Sequence, residues 1–398
     1  MCKKKDIIIL SDYASINGGA AQVAVNSAIN LSKTKNFKIT FICSIASDEV
    51  KQLFISNNIE LKVVDISVRS VFMRKFFYLF NFRAIGQLNN ILIDYPVDTI
   101  IHVHTYINEF TSSMFLSIPR FMRENVFLTA HDYFTICPNG AHFDYKEKKV
   151  CDISGGSFSC YRRNCDKRSL FEGLVRKVKF TIEKLVFFYQ KPKFFSVSEV
   201  ARSKLIDYGY NSKVVLNEIC YRKSLSVAKH NGRKGILYIG RLDVEKGFTR
   251  LVEYCVDNKI TLTVIGDIDC RVLHKSEYII YAGWCSKEKI KSYLDVTCAV
   301  VMPSLWYETF GLVSLESAAE GVPCILSDRC GAASYYPSEY PLFIDPESLS
   351  NLRELYDKLL IEDFWTECSI LSQTIYDSYV IKAKENNSPS SLMELYNE

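Results

Sequence analysis

Residues 303–328 read PSLWYETFGLVSLESAAEGVPCILSD. The run CAVVMPS (298–304) that leads into it is a short apolar segment of strand type, and VPCILSD (322–328) at its end is another. Between them Tyr307 to Gly311 forms a turn, and LVSLESAAEG reads as a helix closed by Gly321 and Pro323. Two buried strands joined through a helix are the repeating unit of a parallel sheet. Within that unit Glu308 lies in the loop before the helix, and Glu316, with seven residues between, lies one to two turns into it. Gly311 leaves room for backbone amides to approach an anion at the helix start. A first-turn charge favoured by the helix dipole accounts for Glu308 alone. Glu316 is not covered by that account, because its neighbours VSLESAA are small or apolar and mark a nearly buried helix.

The same grammar extends outward. DIIILSD (6–12), FKITFICS (37–44), ELKVVDIS (60–67), TIIHVHT (99–105), VFLTAHD (126–132) and KFFSVS (193–198) read as strands buried on both faces. GILYIGR (235–241), ITLTVIGD (260–267), YIIYAG (278–283), CAVVMPS and VPCILSD form a second series. Between the two, the polar stretch ending in HNGRKG reads as a linker, with a boundary near Asn217. The expected fold class is α/β: two Rossmann-like, doubly wound parallel-sheet domains facing each other across a cleft, where sheets of this kind bind ligands. The expected divisions are 1–216, 217–375 and a C-terminal segment 376–398.

Length and composition agree with this reading. A chain of 398 residues exceeds what one hydrophobic core usually serves, and 48% hydrophobic content excludes a disordered chain. Net charge is only +4, but residues 145–195 hold 13 Lys/Arg against five Asp/Glu. The apolar run after MCKKKD is too short for a signal peptide, and no uncharged stretch approaches the roughly 20 residues of a membrane span. The expected location is cytoplasmic, peripheral on the inner face of the cytoplasmic membrane. Most of the 14 cysteines stand singly in apolar strands and read as free thiols.

Two further stretches carry chemistry. After the first strand, Gly18 and Gly19 in SINGGAAQVAV allow conformations and a close approach that side chains would forbid, and the helix behind them offers free amides; a tight turn is the plain alternative. In YIGRLDVEKGFTRLVEY, Arg241 and Lys246 flank a turn between strand and helix. Both can reach one diphosphate, Arg as a fork and Lys as a point charge. A solvated charged turn is the alternative there.

Taken together, Glu308 and Glu316 within PSLWYETFGLVSLESAAEGVPCI, the segment YIGRLDVEKGF and the glycine pair resemble glycosyltransferase family 4, the retaining enzymes of GT-B fold. The resemblance implies that Arg241 and Lys246 hold the diphosphate of a nucleoside-diphosphate sugar, that Glu316 accepts hydrogen bonds from the ribose hydroxyls, and that Glu308 contacts the transferred sugar. Amides of Phe310, Gly311 and Leu312 would support phosphate and sugar. Trp284 would meet the base, His131 in LTAHDYF would face the sugar, with a structural histidine at a strand end as the alternative, and Gly18 and Gly19 would form the acceptor-side loop. Leaving-group charge would be stabilised by fixed cations and amides, with no catalytic metal. By the same analogy the sugar would pass to a lipid-linked saccharide acceptor in surface polysaccharide, O-antigen or capsule synthesis. The tail SSLMELYNE resembles the family's final helix, which returns to the first domain. A nucleotide-sugar epimerase of the same fold, and a non-catalytic nucleotide-sugar or lipid-binding partner of another transferase, are the alternatives.

Other signals point elsewhere. Asp267 and Asp269 in GDIDC have the spacing of a divalent-metal pair but end a strand, which favours a structural role. Cys137, Cys151, Cys160 and Cys165 match no zinc-ribbon spacing; four thiolates could close a structural zinc site, and free thiols are the favoured reading. Residues 167–195 recur apolar at Phe171, Leu174, Val175, Val178, Ile182, Leu185 and Val186 with basic residues between, and 69–83 is similarly basic and aromatic. This pattern suits an anionic membrane surface better than nucleic acid, with a core-packed helix as the alternative.

Overall fold

A computed structural model describes residues 4–16, 19–34, 36–66, 76–219, 221, 223, 228–267 and 274–397. Gly18, Asp269 and residues 69–75 of the basic aromatic segment lie outside the described residues.

The first sheet contains β1 (Lys5–Ser11), β2 (Phe37–Cys43), β3 (Glu60–Val63), β4 (Ile100–Thr105), β5 (Val126–Ala130), β6 (Lys193–Ser196) and β7 (Ser212–Val214), all parallel, in the spatial order β7-β6-β5-β4-β1-β2-β3. Alternation explains why β1 is apolar throughout. Ile8 and Leu10 enter a core with Val103, Leu128 and Phe187, whereas Ile7 and Ile9 enter another, on the opposite face, with Val25, Phe41 and Phe127. The second sheet contains β8 (Ile236–Ile239), β9 (Leu262–Ile265), β10 (Ile279–Gly283), β11 (Ala299–Met302), β12 (Cys324–Ser327) and β13 (Phe343–Ile344), again parallel, in the order β10-β9-β8-β11-β12-β13.

Three expectations about strands need correction. The segment at 60–67 is not buried on both faces, because β3 is the edge strand and its residues are exposed or half-buried. β7 and β13, the opposite edges of the two sheets, were not foreseen. They are three and two residues long, and a stretch that short carries no readable periodicity.

In each sheet the chain order reverses once, between β1 and β4 in the first and between β8 and β11 in the second. Loops diverge at such points and leave a crevice at the carboxyl ends of the strands. The two crevices face one another. Ser198 donates from its hydroxyl to the Thr309 carbonyl (2.6 Å), Thr309 donates from its own to the His131 carbonyl (3.0 Å), and Tyr133 meets Trp306 edge-on at 6.1 Å.

Among the helices, α1 (Gly19–Ser32) follows β1, and α2 (Leu170–Gln190) covers the first sheet. α3 (Phe248–Asp257) follows β8 and α4 (Leu312–Ala319) follows β11. The long α5 (Glu362–Asn386) packs Trp365, Ile375 and Tyr379 into the second core. At its end Asn386 and Asn387 hydrogen-bond the backbone of Val214 and Leu216, and α6 (Pro389–Asn397) then buries Leu392 and Tyr396 against the first sheet. Helix α5 thus runs unbroken past residue 375, and the chain changes partners at Asn386 and Asn387.

Candidate active site

The turn after β8 and the turn after β11 meet at the second sheet's switch point. Val244–Lys246 make a single 3-10 turn, and Gly247 then takes a left-handed conformation (φ 74°) before α3 begins. A Cβ at Gly247 would run into the carbonyl oxygen of Pro303, so the two turns touch backbone to backbone. This contact sets the Lys246 ammonium on the Glu308 carboxylate, an ion pair between residues 62 positions apart. Ser304 donates to the second carboxylate oxygen at 2.7 Å. The Glu308 backbone is clamped as well: its amide donates to the Arg329 carbonyl (2.9 Å) and its carbonyl accepts from Gly331 (2.9 Å).

Electrostatics follow from this cage. Burial alone would raise the Glu308 carboxyl; the charge and hydrogen bond of Lys246, then the Ser304 hydroxyl, outweigh it and hold the carboxyl below the usual glutamate range. Arg241 lowers it further from nearby. Its own guanidinium is largely exposed and leans on Asp243 at 2.9 Å, a pairing loose enough to be exchanged for a ligand's oxygens.

Gly311 caps the amino end of α4 at φ 97°. Phe310 is buried beside it, and Leu312 opens the helix with its side chain half-buried. Glu316, one turn further, faces the other domain: with Leu312 and Lys287 it lines a narrow cavity completed by Gln22, Val23 and Asn26 of α1 and by Glu218. Burial raises the Glu316 carboxyl, and Lys287 only partly offsets this. Trp284 stands 71% exposed, three residues before Lys287. Gly19 opens α1 with nothing within 4 Å of where its Cβ would lie and without a left-handed φ, so the fold itself does not demand glycine there.

His131 directly follows β5 in the first domain. Its ring stacks on His104, with His104 Nδ1 and His131 Nε2 at 3.0 Å, and His104 packs in turn on His102, whose Nδ1 meets the Tyr396 hydroxyl at 3.0 Å. Burial holds all three imidazoles down, His102 to about 3 and His131 to about 4. Such groups take no proton until the pH falls well below the usual histidine value of about 6.5. The imidazole NMR signals of this trio should therefore show the neutral form from pH 8 down to about 5. A trio member protonating near 6.5 would contradict the packing.

Several groups escaped the sequence reading. Ser304 and Arg329 support Glu308, and Lys287 and Asn26 border Glu316. Asp12 accepts the amides of Asn108, Glu109 and Phe110 at 2.8, 3.2 and 3.0 Å, yet burial pushes it up to about 6. Asp132, next to His131, is pushed to about 6 for the same reason. Both aspartates stand in the motifs SDY and AHDYF, directly after a strand, and that position was the available signal.

Metal readings find little support. Asp267 follows β9, with its partner Asp269 outside the described residues. Among the described residues, no group of three or more His, Cys, Asp or Glu is placed to hold a metal. In the cysteine cluster Asn139 intervenes: the Cys137 thiol donates to Asn139 Oδ1 at 3.2 Å, and Asn139 Nδ2 reaches Cys165 at 3.6 Å. Burial pushes the free thiols of Cys137 to about 12 and Cys165 to about 11.

Residues 223–374 match the family described as Glycosyl transferases group 1, the stretch that carries Arg241, Lys246, Glu308 and Glu316. The chain is 30% identical over 138 residues to an uncharacterized 41.2 kDa protein in the cps region of Klebsiella pneumoniae, and 28% identical over 131 residues to the putative teichuronic acid biosynthesis glycosyltransferase TuaC of Bacillus subtilis. These matches take in 33% and 32% of this chain and 38% and 33% of the two relatives' lengths. Among solved structures, Anabaena Alr3699/HepE in complex with UDP and glucose superposes with a TM-score of 0.65 at 12% identity, covering 97% of this chain and 99% of that one. WaaG, a glycosyltransferase involved in lipopolysaccharide biosynthesis, gives 0.64 at 14%, covering 96% and 100%. The fold is GT-B.

Proposed function

We propose that this protein is a retaining glycosyltransferase that moves a hexose from a nucleoside-diphosphate sugar to a hydroxyl of a lipid-linked saccharide during surface-polysaccharide synthesis, working on the cytoplasmic face of the membrane without a catalytic metal. The observation that carries the reading is the Lys246–Glu308 pair at the switch point of the second sheet, beside the amide-rich start of α4. Two cations and a helix amino end converge where a leaving diphosphate would gather charge, which is the arrangement that lowers such a barrier. Glu308, kept ionised, would face the transferred sugar, with His131 on the opposite wall as a neutral hydrogen-bonding group. The acceptor hydroxyl would attack from the face that the phosphate vacates, and that phosphate would take its proton. A UDP and glucose complex of a protein of the same fold, and relatives described as a cps-region protein and a putative teichuronic acid biosynthesis glycosyltransferase, support the substrate class.

The direct test is incubation with a panel of nucleoside-diphosphate sugars. Slow release of free nucleoside diphosphate from one donor, insensitive to EDTA, is expected; no turnover and no binding of any donor would defeat the reading.

Glu316 provides a second check. As a carboxylate it accepts two ribose hydroxyls, and protonation removes one acceptor. Because burial raises this group, donor affinity should begin to fall at a higher pH than an ordinary glutamate would give, and should keep falling as the pH drops through the raised value. Glu316→Gln should bind about tenfold more weakly at pH 7.5 and lose that acid limb, as measured by calorimetric titration with the nucleoside diphosphate.

A further inference from the structure

Helix α2 has apolar side chains on two faces, one in the core and one turned outward. Its buried side carries Arg176, Lys179, Glu183 and Gln190 beside Phe180, Val186 and Phe187, while Leu170, Phe171, Leu174, Val178, Leu185 and Phe188 are exposed, Phe188 by 81%. The two inward cations have partners: Arg176 pairs with Asp166 at 3.0 Å and donates to the Asn139 carbonyl, and Lys179 donates to the Ile107 carbonyl and lies 3.6 Å over the Tyr78 ring. Among the described residues no second layer covers the outward apolar side chains. They recur at spacings of three, four and, between Val178 and Leu185, seven, so they fall along one side of the helix as a stripe with the exposed Thr181 in the gap.

The ends of the stripe are basic. Arg162, Lys167 and Arg168 are exposed at its start; at its far end Arg123 lies 4.2 Å over the Tyr189 ring, and Lys191 is exposed. Glu172, an exposed carboxylate on the stripe side, is engaged in its own helix's capping box with Ser169. An apolar centre with cations at both ends matches a bilayer surface whose headgroups are anionic. No helix among the described residues is long and apolar enough to cross a membrane, so this attachment would be peripheral. Position links the stripe to the site. Lys167, just before the helix, sits 3.2 Å from Asp243, the residue that pairs with Arg241, so the stripe begins at the mouth of the cleft.

We propose that the outer face of α2 docks on an anionic lipid bilayer and holds the cleft mouth at the membrane surface, where a lipid-linked acceptor can enter. The acceptor clause rests on the glycosyltransferase reading; the docking clause does not. The experiment is flotation of the full chain with phosphatidylcholine vesicles, with and without roughly one-third phosphatidylglycerol. Binding to the anionic vesicles, weakened by salt, is expected. The exposed triple variant Leu174→Glu/Leu185→Glu/Phe188→Glu should bind about tenfold less or weaker still, with an unchanged circular dichroism melt. Arg162→Glu/Arg168→Glu, which leaves the apolar stripe intact, should lose the preference for anionic vesicles. Donor hydrolysis by both variants should stay within about twofold of the parent, since neither touches the cleft. Absence of vesicle binding by the parent, or equal binding by the triple variant, would overturn the proposal. So would a concentration-dependent dimer that this variant dissolves while vesicles remain unbound, because a second copy would then cover the stripe. Vesicle binding with neither turnover nor binding of any donor would leave the docking standing and defeat only the enzymatic reading.

Discussion

Lys246→Ala is expected to lower kcat/KM for glycosyl transfer by about 10³-fold, the loss typical of removing one preorganised charge partner from a transition state. Loss of stability has to be separated from loss of catalysis, because Lys246 also neutralises a buried carboxylate. Breaking a buried pair from one side costs about 3 kcal/mol, and the stranded carboxyl relieves part of that by taking a proton. The sign can be followed with pH. In the parent the lowered Glu308 value contributes stability that is present above the unfolded value and lost as pH falls through the folded one. In Lys246→Ala the folded value rises above the unfolded one, so its stability deficit should shrink between pH 7 and pH 5. Lys246→Ala/Glu308→Gln should recover most of the melting temperature and none of the turnover. Recovery of both together would reduce Lys246 to a structural counter-ion. Parent-like turnover in the single variant would refute the phosphate role outright.

Gly311→Ala should cost about 2–4 kcal/mol in chemical denaturation and at least 100-fold in turnover. Two effects add. At φ 97° an alanine enters a region that L residues avoid, at about 1–2 kcal/mol. Its Cβ would also press inside the van der Waals shell of Cys330 Sγ and lie 3.0 Å from Met302 Cε and 3.8 Å from the Glu308 carboxyl carbon. Relief of that pressure displaces either the start of α4 or the carboxylate, and both belong to the candidate site. If the packing clash outweighs the backbone strain, Cys330→Ala should rescue part of the loss, making the pair non-additive by about 1 kcal/mol. Additive losses would assign the cost to the backbone alone. A Gly311→Ala protein with parent-like stability and rate would remove the reason for glycine at this position.

Much of this molecule was legible before any coordinates. Apolar runs such as DIIILSD and CAVVMPS lie in the centres of two parallel sheets, because only a strand covered on both faces tolerates continuous Ile and Val. Glycine and proline around SLESAAEGVP marked the ends of α4, since each limits backbone geometry locally. The edge strands β7 and β13 were not legible, because so short a segment is defined by its neighbour's hydrogen bonds rather than by its own pattern.

Sequence alone therefore determined the strand–helix units, their order and the residue types at each turn, all of which rest on interactions within a few positions along the chain. Tertiary structure decided what those residues meet. It paired Lys246 with Glu308, gave Arg241 to Asp243, and set Glu316 opposite Asn26 of the other domain. It also turned the charges of α2 inward and its leucines outward. Periodicity shows that a helix has two unlike faces. Which face turns inward depends on partners outside the helix: the first core takes Val186 and Phe187, and Asp166, the Ile107 carbonyl and the Tyr78 ring offset part of the cost of burying Arg176 and Lys179, although burial still lowers Lys179 to about 8.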